Sequence, residues 1–265
     1  GGADNDTLSG GADDDTIDGG AGTDTIDESA ETNDLVVTLN NATGTIVDAT
    51  ASETDSVLNI ENVSTGDGDD QFFISDADDN IIDGGSETSG DEATVSGGTG
   101  TITVTRSVSN VTVSDGSGSG GIGDDQYLDI EQINVSGSSS DDTFVVSDAN
   151  NNEFNGLDGD DTISYAALST PITVTIVGSQ ASISATGIGI DTLYNIENIF
   201  TGTGDDYFDI NGTVDYGLNS SSGADTFFFN VLLQVLLQVL LQHSASTFCF
   251  LKVLFSTFCS KVLLQ

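Results

Sequence analysis

Apolar residues along this chain follow two rhythms. Over residues 1–27 a single large apolar side chain appears once in nine, at Leu8, Ile17 and Ile26, among Gly, Asp, Asn and Thr. Further on the rhythm shortens to two, as in "TITVT" (101–105) and "ITVTI" (172–176), the alternation expected of a strand with one buried face. Short runs such as "DLVVTL", "NVTVSD" and "ASISATG" are bounded by Gly, Asn, Asp and Ser, which close turns by adopting φ > 0 or by bonding to their own backbone. No long helical stripe occurs in 1–230. The pattern predicts an all-β chain of short strands.

One apolar residue per nine can face only a narrow core. Each block then supplies a three-residue strand and a six-residue turn, and such units stack at about the 4.8 Å strand spacing. The blocks read "GGADNDTLS", "GGADDDTID" and "GGAGTDTID". If two blocks complete one coil, Asp6 and Asp24 stack on one side. Asp15 then faces the opposite edge, near Asn33 or Asp34.

A longer period covers the rest. "DSVLNIENVSTGDGDDQFF" (55–73) returns as "DQYLDIEQINVSGSSSDDTFV" (125–145) and "DTLYNIENIFTGTGDDYFD" (191–209), a repeat of roughly 66–70 residues. The expected division is a nonapeptide roll at 1–36, β-rich modules at 37–124, 125–190 and 191–230, and a distinct tail at 231–265. In each repeated word Ile60, Ile130 and Ile196 are expected in the core, with Glu61, Glu131 and Glu197 facing solvent.

Charge changes the picture most. Of 265 residues, 44 are acidic and three basic, and residues 1–230 hold every acid with Arg106 as their one base. Carboxylates at this density repel and expand a chain unless cations bind to them. The same imbalance excludes nucleic acid and anionic membrane as partners, because both need Lys and Arg. Sixth-position Asp6, Asp15 and Asp24 would be stacked, with Gly2, Gly11, Gly20 and Gly22 leaving backbone carbonyls bare around them. Carboxylate and carbonyl oxygens in a flexible loop suit calcium. Magnesium demands a stricter octahedron, and zinc wants the His and Cys that 1–230 lacks.

Residues 1–27 resemble the RTX, or haemolysin-type, calcium-binding repeat. The resemblance implies a right-handed parallel β-roll, elongated by its tandem modules, with calcium in the turns of a secreted bacterial protein. Position four, Gly in that family, is Asp4 and Asp13 here, and only Gly22 conforms; Asp tolerates the left-handed region. Partial matches at 65–73, 156–164 and 201–209 add Asp70, Asp161 and Asp206 as metal-ligand candidates, whereas Asp91 lies outside the tandem blocks.

The expected function is a calcium-binding structural segment that folds on meeting extracellular calcium. An adhesin with a glycan or cell-surface ligand, or an accessory module of a carbohydrate-active enzyme, is the alternative. No enzyme is expected. The sole histidine, His243, lies in the tail, and no G-x-S-x-G elbow occurs. Arg106, the one base a lyase could use, reads as a surface strand residue countering local acids. The chain starts inside a repeat and contains no Met, which predicts a piece of a longer polypeptide with upstream domains.

The tail departs from all this. Residues 231–265 contain no Gly, Asp or Glu and run "VLLQVLLQVLLQ". Three readings stand: a shifted reading frame of Gly-Thr-Thr-Ser codons, a secretion or anchoring segment, or a helix packed on the solenoid. On the first, Cys249 and Cys259 carry no chemistry.

Overall fold

The computed structural model describes residues 1–85, 90–107, 110–116, 121–148, 150–186, 188–212 and 216–229. The tail readings therefore lie outside the described residues. Every element described is a strand. Three short ones open the chain: β1 (Thr7–Leu8), β2 (Thr16–Asp18) and β3 (Thr25–Asp27). A three-stranded meander follows, β4 (Leu35–Asn40), β5 (Thr43–Asp48) and β6 (Glu53–Leu58). Single strands β7 (Asn62–Ser64), β8 (Gln71–Ile74), β9 (Ile81–Asp83) and β10 (Glu92–Val95) come next. They lead to a second meander, β11 (Thr103–Ser107), β12 (Asn110–Ser114) and β13 (Asp124–Leu128).

The pattern then repeats. Strands β14 (Gln132–Ser136), β15 (Thr143–Val146), β16 (Glu153–Asn155) and β17 (Thr162–Ser164) precede a third meander. That meander is β18 (Ile172–Val177), β19 (Gln180–Ala185) and β20 (Ile188–Tyr194). The described chain closes with β21 (Asn198–Phe200), β22 (Tyr207–Asn211), β23 (Gly217–Asn219) and β24 (Thr226–Phe229).

The strands fall into two sheets of 11 and 13, and the chain steps from one to the other after every single strand or meander. Neighbouring coils pair in parallel: Thr7 opposite Thr25, Thr25 opposite Asn62, Glu92 opposite Gln71. This is a parallel β-roll. Its three meanders are an addition that the apolar rhythm did not predict. Each is inserted with its last strand against the coil before and its first against the coil after, so β5, β12 and β19 run antiparallel to their neighbours. Two-residue turns join β4 to β5 and β18 to β19, with Asn41 (φ 50°) and Gly178 (φ 65°) in the left-handed region that tight hairpins require.

Inward residues of the two sheets form one core. Ile26, Val63 and Ile82 line up in one sheet and Phe72, Ala93 and Ile133 in the other, all essentially inaccessible. Ile60, Ile130 and Ile196 are buried as expected. The alternation is strict along β8, where Phe72 is fully buried and Phe73 is 42% exposed. Removing a buried ring leaves a cavity as well as losing transfer energy. Phe72→Ala is expected to cost about 3–5 kcal/mol, and Phe73→Ala less than about 1 kcal/mol. Urea unfolding of the full chain in calcium distinguishes the two.

Candidate metal centre

The two edges where the chain crosses between sheets carry the site. One motif sets it: an acid or Asn stands two residues before an inward apolar residue. The intervening residue is the outward one, so the acid caps the strand at the turn, pointing along the edge. Asp24 precedes Ile26, Asp70 precedes Phe72, Asp161 precedes Ile163 and Asp206 precedes Phe208, and all four acids are at most 1% exposed.

Each acid accepts the backbone N–H of its counterpart one strand along. Asp6 N donates to Asp24 Oδ1 at 2.8 Å, and Asp24 N to Glu61 Oε2 at 2.7 Å. At the opposite edge Leu35 N donates to Asp70 Oδ1 (2.7 Å), Asp70 N to Asp91 Oδ1 (2.8 Å) and Asp91 N to Glu131 Oε2 (3.2 Å). Further on, Asp142 N donates to Asp161 Oδ1 (2.8 Å), Asp161 N to Glu197 Oε2 (2.9 Å) and Asp206 N to Asp225 Oδ1 (3.0 Å). The result is a ladder of carboxylates up each edge.

The nonapeptide turns stack as the 18-residue coil predicts. Ala21 N donates to the Gly2 carbonyl at 3.0 Å, and a Cβ on Gly22 would lie 2.8 Å from the Asp4 carbonyl. A Cβ on Gly20 would run into the Gly2 carbonyl, so glycine alone permits this approach. Asp13 takes φ 77°, replacing the glycine of position four as expected of Asp, beside Gly11 at φ 83°. Asp15 is a correction. Its N–H meets Asp55 Oδ1 at 2.8 Å, not Asn33 or Asp34, because the meander places β6 rather than β4 beside β2. Gly11 borders an acidic cleft that also includes Glu28, Glu31, Asp48, Glu53 and Asp55.

Two further expectations are overturned, on the three glutamates and on Arg106. Glu61, Glu131 and Glu197 do not face solvent; they are half-buried ladder members filling the place of Asp24. In each repeated word the residue two before the glutamate, Asn59, Asp129 or Asn195, turns the corner at φ 49–52°. Asp91, outside the tandem blocks, is a buried ladder member like the rest. Arg106 is no surface residue: it is 2% exposed and bonded to Asp148. Asp55, Asp125, Asp142 and Asp191 were not among the expected ligands. The acid-x-apolar spacing would have found them without any glycine.

Two oxygens decide whether the turns fit a cation. Asp24 Oδ2 and Asp161 Oδ2 are buried with no hydrogen-bond partner. The space beside each is kept by glycine, since a Cβ on Gly19 would lie 2.6 Å from Asp24 Oδ2. Asp6 and Asp206 differ, their second oxygens taking Gly2 N (2.6 Å) and the Thr201 hydroxyl (2.5 Å). Among the described residues no three His, Cys, Asp or Glu converge on one point. An ion at Asp24 would thus share its shell between a carboxylate and the carbonyls of the glycine turns, hard oxygens of the calcium class.

Parallel coils, glycine turns and stacked acids with open oxygens define a calcium-type β-roll. Residues 1–27 match the family model for the RTX calcium-binding nonapeptide repeat (4 copies). The chain opens with RTX repeats, and calcium is the ion that such repeats bind. Comparison with curated proteins gave no match.

Without a cation, burial opposes ionisation. Asp161 is pushed up to about 7 by burial, with the Asp142 and Glu197 carboxylates adding to the effect. Burial likewise raises Asp191 to about 6, against hydrogen bonds from Tyr165 and Asn152 that lower it. A carboxyl whose folded pKa is raised stabilises the fold below its unfolded value of 3.8, and that contribution is lost as pH rises through about 6. With the chain folded in saturating calcium, Asp191→Asn is expected to remove up to about 3 kcal/mol of the stability that the parent loses between pH 4 and pH 7. Urea midpoints for the two chains across that range give the difference.

Proposed function

We propose that this chain is a calcium-ordered segment of a secreted protein: expanded where calcium is scarce and folded outside the cell. Residues 1–36 are the RTX roll, and 37–124, 125–190 and 191–230 are modules that extend it. The observation that carries the reading is the buried carboxylate ladder with an open Asp24 Oδ2 at a glycine turn. Stacked carboxylates about 5 Å apart repel by roughly 3 kcal/mol at an effective dielectric of 20. One charge-assisted N–H bond contributes only about 1.5–3 kcal/mol. The two nearly cancel, so the cation decides. A site at ten times its Kd adds about 1.4 kcal/mol, and several such sites turn an expanded chain into a folded one.

The role is structural, with no catalytic residue assigned. A second reading, a calcium-dependent adhesin, has one observation behind it: Thr103, Thr105 and Thr112 form an exposed outward row across β11 and β12. Calcium-dependent retention of the full chain on a glycan array would favour it.

Far-UV circular dichroism of the full chain during a calcium titration tests the main reading, with magnesium as the comparison. A disordered spectrum is expected to become β-sheet with calcium alone. Asp24→Ala should move the midpoint several-fold higher in calcium, while the exposed Asp158→Ala should leave it in place. A chain already folded in chelator would sink the proposal.

A further inference from the structure

The long repeat provides its own internal comparison. Leu39, Arg106 and Ile176 occupy the same register on the first strand of each meander, opposite Ile74, Val146 and Ile210 of the following coil. Two residues beyond those partners stand Asp76, Asp148 and Gly212. In the second repeat the acid is met by a cation. Arg106 Nε donates to Asp148 Oδ2 at 2.6 Å, and its Nη2 donates to the carbonyls of Ile130 (2.7 Å) and Glu131 (3.0 Å). Acid and cation are both missing from the third repeat, which has Gly212 and Ile176.

The first repeat keeps the acid and lacks the arginine. Asp76 is 1% exposed; its Oδ1 accepts Asn80 Nδ2 at 2.7 Å, and its Oδ2 has no partner. Oδ2 is the atom that Arg106 meets on Asp148. Asn80, also 1% exposed, has an open Oδ1. The two turns differ at this oxygen, since Asn152 Oδ1 accepts the Ile133 N–H at 3.3 Å, but they share their contacts to the next acid. Asn80 N donates to Asp125 Oδ1 (3.0 Å) as Asn152 N does to Asp191 Oδ1 (2.9 Å). The Tyr127 hydroxyl donates to Asp125 Oδ2 (2.9 Å) as that of Tyr165 does to Asp191 Oδ2 (2.7 Å).

A buried carboxylate is retained where something pairs with it. We propose that the Asp76–Asn80 turn is a calcium site outside the nonapeptides, and that Arg106 takes the ion's part in the next module. Its donors are Asp76 Oδ2 and Asn80 Oδ1, with the carbonyls of Ile60 and Glu61, the counterparts of Ile130 and Glu131. All are hard oxygens, which favour calcium over softer metals. The site rests on the calcium reading of the chain but not on the nonapeptides.

Equilibrium dialysis of the full chain against calcium chloride counts the ions. Leu39→Arg, which supplies the guanidinium, is expected to bind one ion fewer than the parent. Arg106→Leu, which strips it from Asp148, should bind one more and show a larger rise in melting temperature on calcium addition. Where Leu39→Arg does not fold, Asp76→Asn should lose the same ion. Asp24→Ala reports on the nonapeptides separately. An unchanged count in Arg106→Leu together with Leu39→Arg or Asp76→Asn overturns the site while leaving the nonapeptide calcium intact.

Discussion

Like charges stacked at strand spacing are the constraint on which this roll depends. Parallel coils place equivalent residues directly above one another, so an acid chosen for one turn recurs beside itself. Each carboxylate gains from the N–H of its neighbour and loses by that neighbour's charge. Hydrophobic burial between the sheets supplies the drive to stack, but it acts at the centre of the coil. The edges, where Asp24 and Asp161 are buried, have their own balance to meet.

The meanders bear on that balance. At their edge positions the middle strands carry Ile46, Val113 and Ile183, each paired with an acid of the third strand: Asp55, Asp125 and Asp191. Apolar residues at that level therefore interrupt the columns and divide them into short runs, although β5 ends in Asp48 opposite Glu53. Asn80 and Asn152 dilute them again. Because the insertions alternate between sheets, charge is broken up on both edges in turn. The apolar faces that the meanders contribute also widen a core that single three-residue strands would leave thin.

Strand content was legible because alternation survives in every segment, and the 18-residue stacking of Gly2 on Gly20 and Asp6 on Asp24 followed from the nine-residue beat. The antiparallel insertions were not read, though Asn41-Ala42 and Gly178-Ser179 are two-residue hairpin signals. Missing them misplaced Asp15, whose partner lies 40 residues away in sequence. The glutamates were misread for a different reason. Flanked by Asn and Gln they look solvated, and only the inward Val63, Ile133 and Ile199 two positions on reveal that they cap a strand. Arg106 was misjudged because an isolated base among acids resembles a surface counter-charge. Its burial depends on Asp148, 42 residues away.

Why the ladder is built of carboxylates at all is answered from inside it. Asn152 occupies a ladder position and accepts the N–H of Ile133 through Oδ1 at 3.3 Å. Asn80 and Asn152 each donate their own N–H to the next acid, as an aspartate would. The backbone geometry is thus met by a neutral amide with no repulsion and a smaller desolvation cost. A roll that needed only its N–H groups satisfied would do better with Asn at every rung. Acids at most rungs burden the fold unless charge has a use, and the use consistent with the glycine turns and the open Asp24 oxygen is to hold a divalent cation. On the proposed reading, the excess of acid sets a condition on folding that calcium in the surroundings meets.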